Sequence, residues 1–469
     1  MPSQDFHRSR RKFLLDALES PVLLFAGGDR ARNYAANVLP FRAESNFLYL
    51  FDHPEPNAAA LLDPQTGETH LFLEARTAAD AVWHGARPSL EEERDRHGVD
   101  HCHPLEDLRS VVSRVGNGRS LASFATADER TNALARELTG LPLDFFDEER
   151  IGTPELIDTL AALRMQKTEE EIEVMRGTAQ VTKAAHEAAM RHTKAGGHEK
   201  DLAGRVQGTM AQYGCCEAYG SILSVRGEVL HNHHHDNELR TGDLVLLDAG
   251  AEAQSGYCSD VTRTWPVDGK FSAEQAEIYD IVLSAQLASI EAARPGVRFL
   301  DVHLASARVI CDGLVQMGLL RGSVDSLLEA GSHAVFFPHG VGHMIGLDVH
   351  DMESFGDRVH YPNGRPRSSA FGTAFLRMDR DLQDGSVFTV EPGIYFVPAI
   401  FGDDEICGPH RDSIDMPRVL RFLEANDGRG FGGIRIEDDV VCTADRTEVL
   451  TADIPKERDA IEAIVGADA

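Results

Sequence analysis

No stretch of this chain approaches the roughly 20 consecutive apolar residues that a membrane-spanning helix needs, so nothing in it reads as a membrane span. Basic residues are in short supply. Lys and Arg number 46 against 76 Asp and Glu, a formal net charge of −30. Nucleic-acid binding requires a concentrated basic surface and none is visible, so that class of partner is excluded. The acidic surplus instead gives a field that attracts cations. Cysteine is sparse as well: Cys102, Cys215, Cys216, Cys258, Cys311, Cys407 and Cys442 are scattered without metal-type spacing. An odd, dispersed set argues against a disulfide framework and for reduced thiols in a cytosol. Ser9-Arg10-Arg11-Lys12-Phe13-Leu14-Leu15 has the look of a twin-arginine export signal, but Asp16, Glu19 and Pro21 interrupt the apolar stretch that should follow. A basic amphipathic helix is the preferred reading there. The expectation is a cytoplasmic protein with neither membrane nor nucleic acid as partner.

A chain of 469 residues exceeds the size at which a single core stops growing, so two domains are expected. Its 42% hydrophobic and 26% charged residues are those of an ordinary globular protein. The first third alternates short apolar runs, read as strands near 22–26, 58–62 and 70–73, with helices over 128–138 and 154–164. It reads as a small α/β domain over 1–160. The remainder, 161–469, starts with a long helix that Thr168 and Glu171 can cap as a box. Helices are expected over 168–192, 198–213, 273–293 and 299–318, and strands near 221–225, 243–248, 257–264, 386–391, 393–398 and 434–441. Segments 352–380 and 399–430 are irregular, and loops of that length are candidates for walls around a site.

Two stretches of the second part share a layout. Gly242-Asp243-Leu244-Val245-Leu246-Leu247-Asp248-Ala249-Gly250 is matched by Gly385-Ser386-Val387-Phe388-Thr389-Val390-Glu391-Pro392-Gly393. Each is a Gly turn, a mostly apolar strand and a carboxylate, with a second Gly two residues on. A carboxylate on so apolar a strand is costly unless it is paired or bound to a metal. Each is followed downstream by a further acidic cluster, Ser259-Asp260-Val261 and Ile436-Glu437-Asp438-Asp439. The pattern suggests a duplicated scaffold holding four carboxylates. A hairpin running from Asp248 to Asp260 would set two of them side by side, where they repel unless cations intervene.

Histidines cluster in two places. In Phe336-Phe337-Pro338-His339-Gly340-Val341-Gly342-His343 the glycines disfavour a helix and predict a tight, extended segment presenting imidazoles. The run His231-Asn232-His233-His234-His235-Asp236 reads mostly as a solvated loop. Asp248, Asp260, His343, Glu391 and Glu437 together supply four carboxylates and one imidazole. Oxygen-dominated ligation favours Mn²⁺ and tolerates Co²⁺, Zn²⁺ or Fe²⁺. Two such ions close together acidify a shared water and polarise a carbonyl, so the implied chemistry is hydrolysis.

These segments resemble the proline-specific metallopeptidases of the pita-bread fold, aminopeptidase P and prolidase (Xaa-Pro dipeptidase). The resemblance runs along nearly the whole chain. It takes in Pro40-Phe41-Arg42-Ala43-Glu44-Ser45-Asn46-Phe47, Arg164 to Thr168, Leu230-His231, Leu247-Asp248-Ala249-Gly250, Ser259-Asp260-Val261-Thr262, His339 to His343, Val349-His350-Asp351, Val390-Glu391-Pro392-Gly393 and Arg435-Ile436-Glu437-Asp438, all in family order. It implies a mixed α/β (α+β) fold: a small N-terminal α/β domain, then a catalytic pita-bread domain with internally duplicated halves. It implies that Asp248, Asp260, His343, Glu391 and Glu437 hold two divalent ions, with Asp260 and Glu437 shared between them. By the same resemblance His231, His339 and His350 hold the substrate and stabilise its tetrahedral intermediate. Glu391 takes the proton of the attacking water, and Tyr219 and Arg435 orient the ligands. The substrate implied is a small peptide with proline in second position, and the assembly a homodimer, with a tetramer as the alternative.

Phe375-Leu376-Arg377-Met378-Asp379-Arg380-Asp381-Leu382 is similar to the prolidase segment in which an arginine binds the free carboxylate of a dipeptide, a role that would fall to Arg377. The competing reading is an arginine paired with Asp379, Asp381 or another acid of this acidic surface. On this ground a dipeptidase is expected, with an aminopeptidase for longer Xaa-Pro-Yaa peptides as the alternative. Creatinase-like chemistry without metal, or a non-catalytic binding protein, fits an intact ligand set poorly.

Overall fold

The computed structural model describes residues 2–75 and 77–468. They fall into two units, one reaching to Arg164 and taking in 352–359, the other running over 165–351 and from His360 onward.

The first unit starts with helix α1 (Gln4–Ala17), whose N-cap Ser3 accepts from the Phe6 N–H. The paired arginines lie on this helix. Arg11 is buried, and its guanidinium donates to the Leu50, His97 and Gly98 carbonyls. Those carbonyls belong to the C-terminal ends of α2 (Ser45–Phe51) and α3 (Leu90–His97), where helical acceptors run out of partners. The sheet follows the order β1 (Val22–Phe25), β2 (Ala59–Asp63), β3 (Glu68–Leu73), β4 (His101–Pro104). The first three strands are antiparallel, and β4 joins the edge parallel to β3. A parallel neighbour needs a crossover, which residues 74–100 supply. Leu23, Phe25, Leu61 and Phe72 pack with Leu108, Val111 and Val112 to form the core.

The second unit opens with α4 (Glu169–Arg191), where the Glu171 carboxylate accepts from the Thr168 N–H at 2.8 Å as the capping pattern anticipates. It packs against α5 (Glu199–Gln212), and further along α6 (Ala273–Ala292) packs against α7 (Phe299–Gln316). Each helix pair accompanies an antiparallel sheet. In the first, β5 (Ile222–Ser224) flanks β6 (Leu244–Asp248), which pairs with β7 (Thr262–Pro266). In the second, β8 (Ser386–Val390) leads to the short β9 (Gly393–Tyr395), which pairs with β10 (Gly433–Arg435). Then β11 (Asp438–Cys442) lies between β8 and β12 (Thr447–Val449). Asp248 faces Thr262 in one sheet and Val390 faces Asp438 in the other.

Two expected strands are drawn differently. The strand anticipated over 257–264 starts at Thr262, leaving Asp260 just ahead of it. The strand anticipated over 434–441 is broken at Glu437, whose N–H donates to the Thr262 carbonyl of the other half. Segment 399–430, expected to be irregular, includes the helix Met416–Leu423, N-capped by Asp415. Among the described residues no helix is long and apolar enough to cross a membrane.

Candidate active site

Both halves bring carboxylates to one place by the same device. Asp248 ends β6, and the Ala249 N–H donates to the Val261 carbonyl at 3.0 Å, closing the two chains just beyond it. Gly250 makes this possible: a Cβ there would stand 1.7 Å from the Ser259 carbonyl oxygen. In the other half Glu391 follows β8 and Glu437 precedes β11. The segment carrying His343 runs beside β8, with Ile345 N–H to Val387 O at 3.2 Å, Thr389 N–H to His343 O at 2.8 Å and Glu391 N–H to Val341 O at 2.7 Å. Gly342 is the counterpart of Gly250, since a Cβ on it would lie 2.0 Å from the Thr389 carbonyl oxygen. His343 is thus presented by an extended segment.

Asp260, His343 and Glu437 are buried and offer ligand atoms that all lie within 4.8 Å of one another. His343 Nε2 is 3.4 Å from Asp260 Oδ2 and 3.9 Å from Glu391 Oε1. Around them sit groups that fix the carboxylates. Tyr219 donates to Asp248 Oδ1 at 2.5 Å and is also hydrogen-bonded to Asp260. Burial, then the charges of Asp248 and Asp260, push its phenol pKa well up, which keeps it a donor. Arg435 Nη2 donates to Asp248 Oδ2 at 2.6 Å and its Nε to Thr262 Oγ1 at 3.0 Å. Thr262 in turn donates to Glu437 Oε2 at 2.7 Å. Arg435 Nη1 reaches the Tyr395 hydroxyl at 2.9 Å, and that hydroxyl lies 2.8 Å from His339 Nε2.

So many buried acids resist ionisation. Burial foremost, then the charge of Asp248, raises Asp260 to about 7. Burial lifts Glu391 to about 8, with Asp260 and Asp248 adding to the effect against the pull of Arg435. Glu437 is pushed well up by burial and then by Asp260, Glu391 and Asp248. Asp439, whose carboxylate oxygens accept the Asp260 N–H at 3.2 Å, is raised for the same reasons. Burial works against the Arg435 charge, yet Tyr395, Asp248, Glu391 and Glu437 hold it firmly protonated. One guanidinium cannot offset this many carboxylates. A buried, oxygen-rich nest with one imidazole suits divalent cations, which would let its acids ionise.

These groups open into a cavity of about 710 Å³. Asp248, Asp260, His343, Glu391 and Glu437 line it together with His231, His339, His350, Arg377, Tyr219 and Arg435, so every residue singled out in the sequence is brought to one place. The His350 ring packs on His343 with centroids 4.0 Å apart. Burial, then Arg435, lowers His339 to about 3, and its Nδ1 lies 2.8 Å from the Gly340 carbonyl. A neutral ring donating from Nδ1 leaves Nε2 to accept from Tyr395. His231 is lowered by burial, then by Arg435 and Arg377. Of the acids that the sequence offers Arg377, Asp379 accepts from Arg298 Nε at 2.8 Å and Asp381 from Arg365 Nη2 at 2.8 Å. Phe371, Phe375, Val397 and Ile400 give the cavity an apolar wall.

Four contributors escaped the sequence reading. Thr262 and Tyr395 are polar residues inside short strands, a signal visible once the strands are drawn. Asp439 was present in the acidic cluster without a role of its own. His233, read with the solvated loop, lines the cavity, and nothing in a run of histidines marks which one faces inward.

The chain matches the model of metallopeptidase family M24 over residues 173–444 and that of the aminopeptidase P N-terminal domain over 7–122. It is 33% identical over 459 residues to a human Xaa-Pro dipeptidase, covering 94% of this chain and 88% of the relative. It is 32% identical over 480 residues to an Escherichia coli Xaa-Pro aminopeptidase, covering 98% and 97%. The structure of a zinc-substituted E. coli aminopeptidase P in complex with product superposes with a TM-score of 0.80 at 30% identity, covering 100% of this chain and 99% of that one.

Proposed function

Because this chain belongs to metallopeptidase family M24, with an aminopeptidase P-type N-terminal domain ahead of a pita-bread domain, we propose that it is a dinuclear-metal exopeptidase cutting the bond between an N-terminal residue and proline, with Xaa-Pro dipeptides as preferred substrates. The observation that carries the dipeptide preference is Arg377 in the wall of the cavity that also holds the carboxylate nest. Its planar fork can make two charge-assisted bonds to the free carboxylate of a dipeptide. A longer peptide has no carboxylate at that position.

Asp248, Asp260, His343, Glu391 and Glu437 would hold two divalent ions, with Mn²⁺ best suited to the donor set. What such ions supply is polarisation of the scissile carbonyl and acidification of the attacking water. Glu391 takes the proton released by that water. His231 and His350 hold the peptide from the cavity wall and steady the charge that develops on the carbonyl oxygen, while His339 and Tyr395 brace one another beside them. Phe371, Val397 and Ile400 offer a dry surface to the proline ring. The odd, dispersed set of seven cysteines agrees with a reducing, cytoplasmic setting. A homodimer is proposed as the working assembly, to be checked by sedimentation.

The second reading, an aminopeptidase for longer peptides, is favoured by the more complete coverage of the E. coli aminopeptidase than of the human dipeptidase. Comparing kcat/KM on matched Xaa-Pro and Xaa-Pro-Yaa peptides with the Mn²⁺-reconstituted enzyme decides between them. Faster cleavage of dipeptides supports the proposal. Faster cleavage of tripeptides moves the assignment to aminopeptidase P.

A further inference from the structure

Three imidazoles meet on the sheet of the first unit. His70 of β3 stands opposite His101 of β4, and Phe72 stands opposite His103. Residues two apart on a strand share a face, so His101 and His103 point the same way. A ring nitrogen from each of the three lies within 4.8 Å of the other two. His70 Nδ1 and His103 Nε2 are 3.1 Å apart. That contact is a hydrogen bond between the two rings, and its length is close to the roughly 3.3 Å separating two imidazole nitrogens on one tetrahedral zinc at about 2.0–2.1 Å, so an ion would take the place of the shared proton. His70 is buried, and its Nε2 has no hydrogen-bond partner among the described residues. The carboxylate of Glu68 is 4.0 Å from that nitrogen and 3.6 Å from His101 Nε2.

We propose that His70, His101 and His103, with Glu68 beside them, form a binding site for a borderline divalent ion of the zinc class. Its chemistry differs from that of the nest in the second unit. That nest is built of oxygen and suits Mn²⁺, whereas this site is built of imidazole and suits Zn²⁺, Ni²⁺ or Cu²⁺. Glu68 and Asp107 face the cluster as acids and Arg114 as a base. Glu68 is placed to accept from a ring N–H and fix its tautomer, or to complete the ligand set. An ion there clips the edge strand β4 to β3, two strands joined by a long crossover.

The test is a Zn²⁺ titration of the full chain in a background of Asp260→Ala and Glu437→Ala, which disables the carboxylate nest. Metal content is measured after gel filtration and affinity by calorimetry. About one equivalent of zinc should be retained and should disappear when His101→Ala and His103→Ala are added. Glu68→Gln, which removes no imidazole, should weaken binding on the order of 10–100-fold. In the otherwise unaltered, Mn²⁺-loaded enzyme, His101→Ala with His103→Ala should leave peptidase activity unchanged. Equal zinc retention with and without the histidines, at unchanged circular dichroism, overturns the proposal, as does undiminished affinity in both the histidine and the Glu68 variants.

Discussion

Lys167 Nζ lies 2.7 Å from Asp351 Oδ2, with each side chain only 1% exposed. Lys167 sits just ahead of α4, and its backbone N–H donates to the Gly385 carbonyl at the turn into β8. Asp351 directly follows His350. One residue therefore ties a helix start, the His350 loop and the strand leading to Glu391. Gly346 packs on the pair so closely that a Cβ would stand 2.7 Å from both partners. Lys167→Met would leave a buried carboxylate without its cation, a loss of about 3–5 kcal/mol. Urea unfolding should show it directly, and kcat should fall as His350 loses its anchor. An unchanged unfolding midpoint would contradict this.

Replacing Asp260 or Glu437 by Ala should abolish activity together with tight binding of at least one ion. Chelation should inactivate the parent enzyme reversibly, and the far-ultraviolet circular dichroism should stay intact because the core does not depend on metal. Two tightly held ions with near-normal rates in either variant would remove these residues from the ligand set.

His350→Ala should keep full metal content while lowering kcat on the order of 10²–10³, the usual cost of losing a hydrogen bond made in the transition state. Elemental analysis beside steady-state kinetics separates this outcome from simple loss of metal.

Arg377→Ala should erase the preference for dipeptides by raising their KM, while tripeptides are cut about as before. Restoring the charge with Lys should recover only part of the effect, since an ammonium lacks the planar fork. A uniform fall on both substrates would assign Arg377 to general electrostatics.

Asp438 contributes to the acid limb of stability. Burial favours its neutral form, but Arg263 Nη2 at 2.8 Å and Lys456 Nζ at 2.7 Å overcome this and hold the pKa at about 2. A folded pKa below the ordinary 3.8 means stability that is present above pH 4 and lost as pH falls toward 2. The shift corresponds to about 2 kcal/mol. Asp438→Asn should lower stability at pH 7 and flatten its dependence between pH 4 and 2. A parallel pH profile in parent and variant would rule the linkage out.

Much of this site was legible because a carboxylate ending an apolar strand, as Asp248 does, has few physical explanations. The extended presentation of His343 followed equally from its flanking glycines. The break at Glu437 was not legible, because it depends on a hydrogen bond to Thr262 in the other half. His101–Pro104 escaped as a strand because an edge strand of two histidines, a cysteine and a proline carries no apolar alternation. The helix Ser45–Phe51, buried along its whole length, has no polar face to betray its period.

The Arg435–Asp248 bond joins residues 187 positions apart, and the nest around it takes two carboxylates from each half. A ribosome must therefore have passed Glu437 before the full donor set exists at all. Uptake of metal by that set would then belong to the finished protein. The ion such a set would take is a matter of the finished fold and the ions around it, not of any one segment of the sequence.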